Sequence, residues 1–100
     1  MTITKTTNGN TMILSIAGKL DTLTSPELRE EIDNIFTKGA VNLIFDLEAL
    51  EYISSAGLGV FAHTLKRATA AGTGVHITGA TGIVKEVLDI TRLSTLMGKS

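Results

Sequence analysis

The segment from Tyr52 to Val60 carries the residues best suited to chemistry, and it reads Tyr-Ile-Ser-Ser-Ala-Gly-Leu-Gly-Val. Ser54 and Ser55 stand where the hydrophobic pattern predicts that a helix begins, and glycines follow in its first turns. A helix N-terminus has free N–H donors and about half a positive charge, so a hydroxyl there can accept a phosphoryl group without unfolding the helix. A structural interpretation is also open, because serine is a preferred N-cap and glycine allows close packing on a sheet.

Two catalytic interpretations of this segment fail on spacing. Residues 57–62 match the G-x-G-x-x-A form of a dinucleotide fingerprint, but they begin about ten residues beyond the preceding predicted strand, and no acidic residue follows about 20 residues later. For a serine hydrolase, Ile53 replaces the first glycine of the G-x-S-x-G elbow. His63 lies about 12 Å from Ser55 by helical rise, and His76 falls on another predicted strand as a pocket or surface residue. A small serine hydrolase is therefore a less favoured functional alternative.

A second group of polar residues lies between the first predicted hairpin and the first predicted helix. Asp21 and Thr22 come at the end of a strand, on the side where ligands and partners often meet an α/β sheet. The structural alternative is a strand-to-helix connection in which Ser25 caps the helix and Pro26 takes its first position. Both interpretations fit the residues.

The best acidic candidates for a metal site are Asp46, Glu48 and Glu51, which are close in sequence. Asp46 falls within a predicted strand, whereas the two glutamates fall in an irregular loop, so we interpret all three as solvated acids. The chain has no cysteine, and its two histidines are far apart, which excludes thiolate chemistry and weakens any transition-metal site. We therefore predict neither a metal nor a cofactor.

The composition is that of one ordinary globular domain over residues 1–100, with 43% hydrophobic and 19% charged residues. Nine Lys and Arg against ten Asp and Glu give a net charge of -1, so a basic surface for nucleic acid is missing. The first residues form no apolar signal segment, and no apolar run approaches the roughly 18 residues of a membrane span. We expect a soluble cytoplasmic protein with no nucleic-acid partner and no membrane insertion.

The first half of the chain predicts a hairpin, a helix and a strand that must position these residues. Residues 2–17 fit two strands around a tight Asn8-Gly9 turn, with near-alternating apolar positions in the second strand, and Gly18 ends that pattern. A helix with one apolar face follows from Ser25 to Lys38. Residues 41–47 are short, apolar and β-prone, which indicates a buried central strand. The apolar face of the helix consists of Leu28, Ile32, Ile35 and Phe36.

The second half predicts a helix from Ser55 to near Gly72, a short strand at Val75–Thr78 and two further helices. The resulting order, ββαβαβαα, indicates an α/β fold with a mixed sheet of about four to five strands, because strands joined through helices favour parallel pairing. Helices are expected on at least one face of the sheet. The predicted apolar stripes are Leu58, Phe61, Ala62, Leu65 and Ala68 in the second helix, Ile83, Val87 and Ile90 in the third, and Leu93, Leu96 and Met97 in the fourth.

Several motifs, taken together, resemble the STAS-domain family, and within it the bacterial anti-sigma factor antagonists. Each motif alone is common, whereas their order and spacing over nearly the whole chain are specific. The resemblance implies a single STAS-like α/β domain over residues 1–100. The motifs are Gly18-Lys19-Leu20-Asp21, Ser25-Pro26-Glu27-Leu28, Asp46-Leu47, the segment Ile53–Val60 and the Thr91-Arg92-Leu93 start of the last helix.

The resemblance implies a partner switch. Such antagonists bind an anti-sigma factor that is itself a serine kinase, and they thereby free a sigma factor for transcription. The kinase phosphorylates one serine of an S-x-G-L segment, the antagonist dissociates, and a PP2C-type phosphatase resets it. Aligned on Gly57-Leu58-Gly59, the acceptor falls on Ser55. Several members carry an acidic residue just before the acceptor and a Ser or Thr just after it, whereas this sequence has Ser54 and Ala56 at those positions. Ser54 is therefore the alternative acceptor.

We therefore hypothesise a non-catalytic regulator that a phosphate on Ser55 switches off. The same domain type also serves as a subunit of lipid-transport ATPase complexes, in which the serine need not be phosphorylated, and that function is the main alternative. The expected partner-binding residues are Asp21, Thr22, Ser54, Ser55, Ala56, Gly57 and Leu58.

Overall fold

The computed structural model describes residues 1–97 as an α/β domain, which confirms the predicted fold class. Within these residues, five strands and four helices follow one another in the order ββαββαβαα. The elements are β1 Thr2–Asn8, β2 Thr11–Leu20, α1 Ser25–Lys38, β3 Asn42–Asp46, β4 Leu50–Ile53, α2 Ser55–Ala71, β5 Val75–Thr78, α3 Gly82–Ile90 and α4 Leu93–Met97.

One mixed sheet organises the domain, with the strand order β1-β2-β3-β5 and with β4 beside β2. The strands β1 and β2 are antiparallel and form the predicted hairpin, whose turn contains Gly9 at a φ of 63°. The pairs β2–β3, β2–β4 and β3–β5 are parallel. The parallel pairing that the helical connections predicted is thus confirmed.

The strand β4 is absent from the predicted element order. It pairs with residues 18–20 of β2, beyond the point where β3 ends at Asp46. Its four residues are too few to show a clear period, and the strand forms because the long β2 offers backbone partners there. Glu51 consequently lies within a strand, and its predicted place in an irregular loop is wrong.

Gly18 does not end β2, contrary to the prediction. Its φ is 94°, the strand register shifts between Gly18 and Lys19, and its N–H donates to the carbonyl of Ala49 at 3.0 Å. Glycine adopts this positive φ without steric cost, so the strand has a local irregularity at this point and does not end there. The strand therefore continues to Leu20, which carries it to the edge of the sheet where the predicted site residues lie.

The buried core lies on one face of the parallel strands. Leu14, Phe45 and Ile77 align across β2, β3 and β5, and all three are buried. Ile44, on the opposite face, is only half-buried. Phe61 of α2 stacks on Phe45 with ring centroids 4.6 Å apart, which fixes this helix to the core face. Helices therefore cover one face of the sheet, as predicted.

The predicted apolar face is confirmed for α1, shifted in α2 and wrong at two of its three positions in α3, where Val87 alone of the predicted residues packs against the core. In α3, Val84 and Leu88 are buried, whereas Ile83 and Ile90 are 51% and 80% exposed. Apolar residues lie on more than one side of α2 and of α3, so periodicity alone does not show which side packs against the core. The buried residues of α2 are Gly57, Val60, Phe61, Thr64 and Ala68, while the predicted Leu58, Ala62 and Leu65 pack at the margin of the core.

A polar contact joins α1 to α2 at the surface. His63 Nε2 lies 2.8 Å from Asp33 Oδ1, and this hydrogen bond holds the pKa of Asp33 below its ordinary value. The guanidinium of Arg67 lies over the ring of Phe36, 5.6 Å from its centroid. His63 is thus a structural link between helices.

Candidate functional site

The predicted site residues meet where β2 and β4 end. Leu20 and Ile53 are parallel partners, and the N–H of Ser54 donates to the carbonyl of Leu20 at 2.9 Å. This bond brings the start of α2 beside the loop that follows β2. Asp21 and Ser55, which are distant in sequence, therefore lie at the same edge of the sheet.

Ser54 is the N-cap of α2. Its backbone is extended, with a φ of -95° and a ψ of 175°, and its Oγ accepts a hydrogen bond from the N–H of Gly57 at 3.4 Å. Its carbonyl accepts the N–H of Leu58 at 2.9 Å. The half-buried Ser54 hydroxyl thus satisfies one of the free donors at the helix start. The capping role that the sequence allowed for either serine belongs to Ser54.

Ser55 is the first residue of α2, and its side chain is exposed. Within residues 1–97, its hydroxyl has no hydrogen-bond partner. The first turn of α2 carries no acidic residue, so no charge in that turn opposes the positive end of the helix dipole. A hydroxyl in this position is accessible to another protein, and the helix end favours a negative charge on it.

Gly57 and Gly59 have different roles, although the sequence suggested close approach for both. A Cβ on Gly57 would lie 2.8 Å from Leu20 Cγ and 2.9 Å from Ile53 Cγ1, which are atoms of buried side chains. A Cβ on Gly59 would meet nothing within 4 Å. Gly57 therefore lets the first turn of α2 lie directly on the ends of β2 and β4, and Gly59 has no such constraint.

Asp21 organises the loop between β2 and α1. Its Oδ1 accepts the N–H of Thr24 at 3.1 Å and the N–H of Leu23 at 3.0 Å, and the Thr24 hydroxyl lies 3.1 Å away. The Thr24 N–H is the main cause that lowers the pKa of the Asp21 carboxyl. The Ser25 hydroxyl donates to the carbonyl of Asp21, and Thr24 is the N-cap residue, so the prediction that Ser25 caps α1 is wrong.

The tip of this loop presents two exposed side chains, Thr22 and Leu23. Leu23 is 90% exposed, and it is not among the binding residues predicted from the sequence. The available signal was one large apolar residue among the polar residues that connect a strand to a helix. Ala56 and Leu58 of α2 are half-buried beside the exposed Ser55.

The structure adds nothing to the hydrolase or metal alternatives. His63 is hydrogen-bonded to Asp33 of α1, and His76 is exposed on β5. The carboxylate of Asp46 accepts hydrogen bonds from the hydroxyl of Ser15 and from the N–H of Glu48. In the part of the chain that is described, no three His, Asp or Glu side chains are arranged to hold a metal ion. Nor does any helix between residues 1 and 97 have the length and apolar character needed to cross a bilayer.

The sequence profile of the STAS domain matches residues 2–99, which is nearly the whole chain. The chain belongs to the STAS-domain family. An anti-sigma-B factor antagonist from Staphylococcus aureus (strain NCTC 8325 / PS 47) is 31% identical to it over 97 residues, which are 97% of this chain and 90% of that relative. The family resemblance that the sequence motifs indicated is thus confirmed.

Solved structures share the same fold. A Thermotoga maritima protein, proposed to be an anti-sigma factor antagonist, matches with a TM-score of 0.90 at 21% identity, over 97% of this chain and 84% of that chain. SpoIIAA of Bacillus in its phosphorylated form matches with a TM-score of 0.76 at 19% identity, over 99% and 91% of the two chains. The anti-sigma factor antagonist SpoIIAA in its unphosphorylated form gives the same TM-score, over 89% and 83%.

Proposed function

We propose that this STAS protein is an anti-sigma factor antagonist, which binds an anti-sigma factor serine kinase and dissociates when that kinase phosphorylates Ser55. The observation that carries the proposal is the pair of serines at the start of α2, of which Ser54 is engaged as a cap and Ser55 is exposed, with no hydrogen-bond partner for its hydroxyl among residues 1–97. The Staphylococcus aureus relative, named an anti-sigma-B factor antagonist, supports the partner class. SpoIIAA, of the same fold, exists in phosphorylated and unphosphorylated forms.

The physical effect of a phosphate on Ser55 is opposite for the domain and for the complex. A phosphate adds about -1.5 to -2 charges at neutral pH, and the dipole of α2 stabilises it by about 0.3–1 kcal/mol. Burying the same dianion against a partner costs several kcal/mol unless basic groups meet it. The domain therefore stays folded while the complex dissociates. In this proposal the protein is not an enzyme, since the kinase supplies the nucleotide chemistry and a PP2C-type phosphatase restores the serine.

Phosphorylation of purified protein tests the acceptor directly. The protein is incubated with ATP and the anti-sigma factor serine kinase encoded in the same genome, and the phosphosite is mapped by mass spectrometry. We expect one phosphate on the wild type, none on Ser55→Ala, and one on Ser54→Ala, which serves as the matched control. A wild type that takes up no phosphate would contradict the proposal, and so would a phosphate carried by Ser54 instead.

Binding of charge variants tests the mechanism of release. Ser55→Asp places a carboxylate at the helix start, whereas Ser55→Ala removes the hydroxyl without adding charge. We expect Ser55→Asp to bind the kinase at least about tenfold more weakly than Ser55→Ala, because the buried charge lacks a partner. Isothermal titration calorimetry measures both affinities. Equal affinities would refute release by negative charge even if Ser55 is phosphorylated.

A further inference from the structure

Leu23 is the most exposed of the large hydrophobic side chains described in residues 1–97, with 90% of its surface open to solvent. Single exposed leucines are common on protein surfaces and need no explanation by themselves. Two further observations distinguish Leu23. Its loop is fixed by hydrogen bonds, and it follows β2 at the same edge of the sheet at which Ser55 begins α2.

The backbone around Leu23 is held in one geometry. Its own N–H and the N–H of Thr24 donate to Asp21 Oδ1, and the Thr24 hydroxyl lies 2.9 Å from the carbonyl oxygen of Lys19. The hydroxyl of Ser25 donates to the carbonyl of Asp21. A side chain presented by an ordered loop binds with a smaller loss of conformational entropy than one on a mobile loop.

Leu23 also lies within reach of a protein that covers Ser55. Leu20 and Ser54 are joined by a backbone hydrogen bond of 2.9 Å. Leu23 is three residues from Leu20, and Ser55 is adjacent to Ser54, so the two Cα atoms are at most about 20 Å apart. A standard interface buries about 800 Å² on each partner, which is wide enough to include both residues.

We infer that Leu23 is an apolar anchor, which the loop between β2 and α1 inserts into an apolar pocket of the anti-sigma factor kinase. This inference rests on the proposed function and deepens it. Asp21 is then a positioning residue, because its Oδ1 is occupied by the loop's own donors. The loop thus contributes to binding through the apolar surface that Leu23 buries against the kinase. The carboxylate of Asp21 contributes indirectly, because it holds the loop in shape.

The test measures the affinity of the purified anti-sigma factor kinase for the wild type, Leu23→Ala and Leu96→Ala by calorimetry. Leu96 is a 64% exposed leucine on α4, outside the expected binding face, so Leu96→Ala is the matched control for removal of an exposed leucine. We expect Leu23→Ala to weaken binding about tenfold or more, and the control to change it less than twofold. In phosphorylation assays, Leu23→Ala should raise KM and leave kcat unchanged.

A double-mutant cycle tests the role of Asp21. If Asp21 acts by holding Leu23, the variant Asp21→Ala weakens binding in the wild type and has little further effect in Leu23→Ala. Additive losses, or a loss that disappears at high salt, would indicate a direct charge contact and overturn the positioning role.

The outcomes separate this inference from the proposed function. A wild type that is phosphorylated on Ser55 and binds as tightly as Leu23→Ala overturns the anchor alone. A wild type that neither binds the kinase nor accepts phosphate overturns the proposed function, and the anchor with it.

Discussion

Replacing Gly57 by alanine tests whether the first turn of α2 must lie directly on the sheet. The new Cβ would meet Leu20 Cγ at 2.8 Å and Ile53 Cγ1 at 2.9 Å, and these side chains are 0% and 5% exposed. They have little room to move, so the overpacking is expected to cost about 1–3 kcal/mol. The helical preference of alanine over glycine offsets about 0.5–1 kcal/mol of that cost.

Gly59→Ala is the matched control, because it lies two residues later in α2 and its Cβ meets nothing within 4 Å. It should stabilise the protein by about 0.5–1 kcal/mol through helical preference alone. The difference between the two variants therefore isolates the steric cost of about 1–3 kcal/mol. Urea unfolding measures both free energies, and the expected separation of the midpoints is about 1 M for a domain of this size.

Equal unfolding free energies for Gly57→Ala and Gly59→Ala would refute this account of the close approach. Because Gly57 lies two residues from Ser55, a displaced first turn should also slow phosphorylation in Gly57→Ala and leave it unchanged in Gly59→Ala. A stability loss without any change in phosphorylation would mean that the strands adjust while α2 stays in place.

Three further predictions concern stability. Ser54→Ala should lower the free energy of unfolding by about 0.5–1.5 kcal/mol in urea titrations through loss of the cap, while Ser55→Ala should stay within about 0.5 kcal/mol of the wild type. Arg92 has a φ of 63°, so Arg92→Gly should raise the free energy of unfolding by about 0.5–1 kcal/mol and with it the melting temperature. A lower melting temperature would contradict backbone strain at Arg92. The hydrogen bond from His63 lowers the pKa of Asp33 in the folded state. The ionised carboxylate of Asp33 therefore stabilises the folded protein above the ordinary pKa of 3.8, and this stabilisation is lost as the pH falls through the lowered pKa. Stability should consequently fall less between pH 6 and pH 3 in Asp33→Asn than in the wild type, and identical urea profiles for the two proteins would refute this linkage.

The hairpin, the helices, the strands β3 and β5 and the parallel pairing were predictable because each rests on a local pattern. The Asn8-Gly9 turn, the apolar residues 41–47 and the glycine after α2 encode their structures within a few residues. The STAS motifs were likewise readable, since they are runs of adjacent residues. The local chemistry of the site was visible too, in two serines before a glycine-containing helix.

The packing of the helices was not predictable from those patterns. In α3 the sequence offers apolar residues on two sides, and packing against β4 and α4 selects Val84 and Leu88 over Ile83 and Ile90. In the second helix, no local pattern distinguishes Gly57 from Gly59. The nearby atoms of Leu20 and Ile53 distinguish the two glycines, and these atoms come from other strands.

The sequence by itself determined that a serine pair begins a helix after a strand, and that an aspartate ends another strand. Only the tertiary structure decided that β4 pairs with the end of β2, which joins these two segments at one edge. It also assigned the cap to Ser54 and the exposed hydroxyl to Ser55. The physical reason is that helix capping and turn formation act over three or four residues, whereas strand pairing and exposure depend on neighbours that are distant in the chain.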